Sequence, residues 1–93
     1  MGKKEINKEL LDLGFTSENY NTNNSDGFGG SFGTKYTKDS IIVVIGTKCQ
    51  RNRAQIKFIT VYKASEVICD YIAYTYYSNK MLDTVKYLIK EQL

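Results

Sequence analysis

The chain has 93 residues, a formal charge of +3, and no histidine, proline or tryptophan. Without histidine it lacks the commonest general base, the usual serine or cysteine triad and most zinc sites. A composition of 42% hydrophobic and 25% charged residues predicts a folded chain, and the length predicts one domain over 1–93.

Ile6, Leu10 and Leu13 fall on one helical face, with Lys3, Lys4, Lys8 and Asp12 on the other. Gly14 is placed to stop that helix in the left-handed C′ position, and Phe15 to fold back on Leu10. The predicted helix is 4–13. Residues 16–26, with four asparagines, read as a loop.

From Phe28 the period changes to two. Phe28, Phe32, Thr34 and Tyr36 share one parity, while Gly29, Ser31, Gly33 and Lys35 share the other. Residues 27–33 are glycine-rich, but Phe32 stands where G-x-G-x-x-G requires glycine, so a closely approached strand is expected rather than a phosphate loop. Residues 37–40 form a turn. Residues 41–45, apolar on both faces, read as a central strand. A third strand over 54–63 places Ala54, Ile56, Phe58, Thr60 and Tyr62 on one parity, and Ile59 and Val61 on the other. Ser65 is then expected to cap a helix carrying Val67, Ile68, Tyr71, Ile72 and Thr75. A second stripe of Met81, Leu82, Val85, Leu88 and Ile89 is rotated from the first, and one unbroken helix would be about 42 Å long. A break is therefore expected near Ser78 and Asn79.

The expected fold is α+β: a helix, a three-stranded antiparallel meander, and one or two C-terminal helices. The aromatic face of the sheet (Phe28, Phe32, Ile56, Phe58) would meet the C-terminal helices, with the first helix at an edge or on the second face.

Charge is localised. Residues 35–63 hold Lys35, Lys38, Lys48, Arg51, Arg53, Lys57 and Lys63 against Asp39 alone, and the remainder of the chain is acidic on balance. Lys35, Lys57 and Lys63 share one parity, and Arg51 and Arg53 sit in a connection. A contact surface built from Lys35, Lys48, Arg51, Arg53 and Lys57, extended by Tyr77, would suit an anionic partner, nucleic acid or protein. The alternative is solubility with lysine protection of strand edges. Cys49 and Cys69 show no metal-ligand spacing, so two reduced thiols in a cytoplasmic protein are expected. No apolar run is long enough to span a membrane. No cofactor is expected. A homodimer through Ile59 and Val61 is an open possibility.

Two resemblances bear on function. Asp39-Ser40-Ile41-Ile42-Val43-Val44 followed by Ala54-Gln55-Ile56-Lys57 resembles the core of the PD-(D/E)xK nucleases. It implies Mg²⁺-assisted phosphodiester hydrolysis, with Glu5 or Glu9 completing the metal site and Lys57 orienting water or stabilising charge. The chain departs from that pattern, because the proline-aspartate element is missing and Gln55 replaces the second carboxylate. A non-enzymatic chain is therefore expected, with Asp39, Gln55 and Lys57 as the one candidate nuclease site. In size, composition and layout the chain resembles small phage-encoded inhibitors of the anti-CRISPR kind. That likeness implies stoichiometric binding to a host nuclease or nucleoprotein complex. A small nucleic-acid-binding protein is the other alternative.

Overall fold

The computed structural model describes residues 3–22, 30–49, 55–73 and 78–93. The element order is α1 (Lys3–Asp12), β1 (Thr16–Thr22), β2 (Ser31–Lys38), β3 (Ile41–Cys49), β4 (Gln55–Lys63), β5 (Glu66–Ala73) and α2 (Asn79–Gln92). The five strands form one antiparallel sheet in the order β1-β2-β3-β4-β5. The architecture is α+β, but the sheet is five-stranded, not a three-stranded meander.

α1 ends as its sequence dictates. Gly14 takes φ +99°. Its amide donates to the Leu11 carbonyl and the Phe15 amide to the Leu10 carbonyl, the paired bonds of a Schellman stop. Phe15 and Leu10 are both buried in the core. The Lys38 ammonium also donates to the Leu13 carbonyl, tying the helix end to β2.

The segment expected to be a loop is β1. It is polar and mostly exposed, so no apolar alternation marks it. Its ladder to β2 makes it a strand, in register from Thr16 opposite Thr37 to Thr22 opposite Ser31.

The segment expected to open a helix at Ser65 is instead a hairpin and β5. Ala64 and Ser65 both take positive φ, 51° and 70°. That is the two-residue turn whose twist matches antiparallel strands. Ile68 is the extra residue of a bulge: Val61 pairs with Cys69 while Tyr62 pairs with Val67. The insertion breaks the two-residue alternation and leaves a spacing that mimics a helical stripe.

A helix does start near the expected break at Ser78, but β5 and not a first helix comes before it. Ser78 is the N-cap of α2, and its hydroxyl accepts from the Met81 amide at 3.1 Å. The molecule's longest extent is 38 Å, which an unbroken 42 Å helix (about that length at 1.5 Å per residue) would overrun.

Residues directly opposite in the ladder share a face, and successive residues alternate. Tyr36, Val43, Ile45, Ile59 and Val61 lie on one face and are fully buried. They pack with Ile6 and Leu10 of α1 and with Met81, Leu82, Val85 and Ile89 of α2. Both helices therefore cover the same face. The first helix is not at an edge or on the second face. Ile59 and Val61 are core, so no dimer forms through them. The expected aromatic face is also corrected. Ile56 and Phe58 lie on the opposite face from the helices, Phe32 lies on the helix face but remains 48% exposed, and Phe28 falls outside the described residues. The strand parity of β4 was ambiguous because both of its faces are apolar.

The helices are tied together by charge. Glu9 accepts from Lys90 at 2.9 Å and pairs with Lys86 at 3.3 Å, and Lys86 also meets Asp83 at 3.4 Å. The Lys90 hydrogen bond, aided by Lys86, holds the Glu9 carboxyl below the ordinary carboxylate range. The same contact pushes the Lys86 ammonium up. Beneath them the buried Tyr36 hydroxyl donates to Asn7 Oδ1 at 2.6 Å, and desolvation raises that phenol's pKa.

Candidate functional site: the face of the sheet opposite the helices

Among the described residues, no helix or strand lies across the second face of the sheet. The register assigns to it Glu18 and Tyr20 of β1, Gly33 and Lys35 of β2, and Ile42, Val44, Gly46 and Lys48 of β3. It adds Ile56, Phe58, Thr60 and Tyr62 of β4, and Val67, Asp70 and Ile72 of β5.

The centre of this face is apolar. Val44, Ile56 and Phe58 are buried although both helices lie on the other side. The Lys48 ammonium stands 4.8 Å from the Phe58 ring centroid, a cation–π contact that shields the ring. Gly33 and Gly46 pair directly across β2 and β3. A Cβ built on Gly33 would come within 2.1 Å of the Ile45 carbonyl oxygen, and one on Gly46 within 2.1 Å of the Phe32 carbonyl oxygen. Only glycine allows these backbones their approach, as the glycine-rich sequence before Thr34 suggested. The pair leaves a stretch of the face without side chains next to Phe58, which lies opposite Gly46.

Beside that stretch is an open cavity of about 320 Å³, lined by Tyr20, Lys35, Ile42, Val44, Tyr62 and Ser65. β2 and β3 supply the lysine and the β-branched floor. β1 and β4 supply the two tyrosines, and the left-handed turn supplies Ser65. Lys35 pairs loosely with Glu18 at 3.7 Å, with both groups open to solvent. At the far side of the face, Thr60 donates to Asp70 at 3.0 Å. The arrangement offers aromatic walls, an apolar floor and a single ammonium. Its volume lies at the lower end of ordinary ligand sites, roughly 300–1,000 Å³.

The residues expected from sequence are divided by this geometry. Lys35 and Lys48 share the open face. Lys57 and Lys63 do not: Lys57 pairs with Thr47 on the helix side, donating to its hydroxyl at 2.9 Å, and Lys63 donates to Gln92 of α2 at 2.6 Å. Lys35, Lys57 and Lys63 therefore do not form one basic surface. Arg51, Arg53 and Tyr77 lie outside the described residues. Tyr20, Ile42, Val44 and Tyr62 were not recognised as a group. The signal available was a β3 apolar on both faces, which requires a second apolar surface to exist.

The nuclease-like residues are not assembled. Asp39 sits in the β2–β3 turn at φ 52°, where Ile41 pairs with Lys63. Lys57 pairs with Thr47, six residues along β3 and roughly 20 Å away. Glu9 is engaged by Lys86 and Lys90. Among the described residues, no three acidic, cysteine or histidine side chains come close enough to hold a metal ion.

The two cysteines are likewise apart. Cys49 pairs with Gln55 and Cys69 with Val61, again about 20 Å along β4, too far for a disulfide within one chain. Burial, with Asp70 adjacent, pushes the Cys69 thiol up and keeps it protonated. No described helix is long and apolar enough to cross a membrane. The chain matches no protein-family model, and no curated protein or solved structure matches it significantly.

Proposed function

We propose that the chain is a non-enzymatic binding module that docks a partner protein on the sheet face opposite the helices. The observation that carries this reading is the composition of that face. Tyr20, Ile42, Val44 and Tyr62 line an open cavity on it together with Lys35, and its margins hold Lys48, Glu18 and Asp70. An apolar centre within a charged rim is the anatomy of a protein interface. Among the described residues of the face, the two lysines are matched by two acids, so these residues present no net cation to a polyanion. That balance favours a protein over nucleic acid as the partner.

The role we assign is stoichiometric inhibition of a host nuclease or nucleoprotein complex, of the anti-CRISPR kind. It rests on the docking face and on the distance between Asp39 and Lys57. Tyr20, Tyr62 and Lys35 are the anchors expected to contribute most to binding, since aromatic side chains dominate such interfaces.

The test is crosslinking of the tagged chain in lysate, with and without nuclease digestion, followed by mapping of the crosslinked residues. A partner crosslinked near Lys35 and Lys48 that survives digestion, and that is lost with Tyr20→Ala plus Tyr62→Ala at unchanged melting temperature, supports the reading. Digestion-sensitive capture with a steep salt dependence would move the assignment to nucleic acid. Metal-dependent cleavage of DNA or RNA abolished by Asp39→Ala would overturn it.

A further inference from the structure

The two edges of the sheet are built differently. β1, at one edge, carries Glu18, Asn19 and Asn21 with a single large apolar residue, Tyr20. β5, at the other, has Val67 55%, Ile68 38% and Ile72 53% exposed, and contains neither lysine nor proline. Sheet edges are ordinarily guarded by lysine, proline or a bulge. The bulge at Ile68 guards only the first half of β5. The half from Cys69 to Ala73 is in regular register with β4, and among the described residues no further strand lies beyond it.

A groove accompanies this bare edge. Between β5 and the first turns of α2 lies a cavity of about 170 Å³, lined by Tyr71, Ile72, Ser78, Lys80, Met81 and Thr84. It is below the range of small-molecule sites, roughly 300–1,000 Å³, and of a scale for one side chain. An extended segment laid along Cys69–Ala73 would aim alternate residues at this cavity and the rest over the opposite face.

We infer that the edge of β5 takes a sixth strand: an extended segment of a partner protein that turns an apolar residue into the cavity beside α2 and Lys or Arg toward Asp70. The charge pattern selects this occupant. Glu66 and Asp70 are the only charged residues of β5, and both are exposed. A second copy paired through the same edge would leave both acids without a cation, because β5 has none to offer in any register. The helix-side position is apolar because Met81 and Tyr71 form its walls and Lys80 repels a cation there. Main-chain hydrogen bonds to the edge would supply affinity and the cavity would supply selection, the general mode of strand addition. This inference concerns the β5 edge; it shares Asp70 with the rim of the docking face but does not depend on that face binding a partner.

The experiment is amide hydrogen exchange on the isotopically labelled full chain, with acetyl-Lys-Val-Lys-Val-Lys-Val-Lys-amide as the probe. Outward-facing amides within Cys69–Ala73 are expected to slow by about tenfold or more at saturating peptide, with β1 amides unchanged. Replacing every lysine of the probe by glutamate should abolish the effect. So should Thr84→Phe, which fills the cavity from α2 and leaves the strand's own residues unchanged, and Asp70→Lys, each verified as folded by its melting curve. The inference is overturned if the lysine peptide leaves β5 exchange unchanged or if the glutamate peptide protects equally. It is also overturned if protection arises without peptide and tracks dimer formation in sedimentation, which would make a second copy the occupant.

Discussion

The two faces of the sheet are both apolar at their centres, yet one is packed and the other is open. On the helix side, Val43, Ile45, Ile59 and Val61 interdigitate with α1 and α2 and are fully buried. On the other side, Val44 and Phe58 are nearly as buried, although no described helix lies over them and the Lys48 ammonium stands 4.8 Å from the Phe58 ring. Depth of burial therefore does not distinguish core from interface here. What distinguishes them is whether a second layer presses on the residue. The helix-side face contributes to stability. The other face keeps apolar surface at Ile42, Tyr62 and Ile72, and it is this surface that we propose serves a partner.

The strongest way to break that comparison is to cut the same chemistry from each face. Ile59→Ala removes atoms between sheet and α2 and leaves a cavity, at an expected cost of about 2–5 kcal/mol. Phe58→Ala removes a larger side chain that is also buried, but no described second layer would hold the vacated space open, so a cost nearer the transfer figure of about 1.5–3 kcal/mol is expected. Urea unfolding at constant m-value measures both. Should Phe58→Ala prove the more costly, the second face is itself a packed core and the docking assignment loses its basis.

Gly46→Ala tests how the open face keeps its shape. The new Cβ would collide with the Phe32 carbonyl across the strand pair. We expect a loss of about 1–3 kcal/mol, as for other overpacked sites. Faster exchange of β2 amides than of β4 amides should accompany it. Equal loosening of both ladders would mean that the glycine pair does not set the β2–β3 approach.

How much of this was legible in the sequence depends on whether local signal and tertiary role coincide. They coincide in α1, where the apolar spacing, Gly14 and Phe15 all state the same stop. They coincide in β3, whose double-sided apolar run can only be central, and at Ser78, where the stripe changes direction. They conflict in β5. A bulge at Ile68 converts a two-residue alternation into a helix-like spacing, and the Ala64-Ser65 turn lacks the Asn-Gly chemistry that announces a hairpin. β1 has no local signal, because an exposed edge strand needs no apolar face and is held by pairing with β2. For the site, Lys35 and Lys48 were visible as basic positions. Their face was not, because the parity of β4 is undecidable when Phe58 and Ile59 are both large and apolar. Lys57 was misassigned for that reason.

The same turn offers a smaller and opposite effect. Ser65→Gly places a permissive residue at φ 70°, so a gain of roughly 1 kcal/mol is expected where left-handed backbone costs other residues about 1–2 kcal/mol. Because Ser65 also lines the 320 Å³ cavity, the variant separates the two properties of the open face. Stability should rise while the cavity's aromatic walls remain. A fall in melting temperature would indicate that the Ser65 side chain holds the hairpin by a contact of its own.

The smallest effect belongs to the helix side and carries a pH signature. Glu9 is held in its ionised form chiefly by the Lys90 hydrogen bond, so its folded pKa lies below its unfolded one. Its contribution is therefore fully present above the ordinary carboxylate range and is lost as pH falls through the lowered folded value. The pair is part-exposed, so Glu9→Gln is expected to cost about 0.2–1 kcal/mol at neutral pH and progressively less in acid. Added salt should narrow the difference further. Lys35→Gln, which removes the looser Glu18 pair on the open face, should change stability by less at neutral pH. If the two variants cost the same there, the ion pairs would not distinguish the faces. The linkage of α1 to α2 would then rest on the apolar contacts of Leu10, Val85 and Ile89 alone.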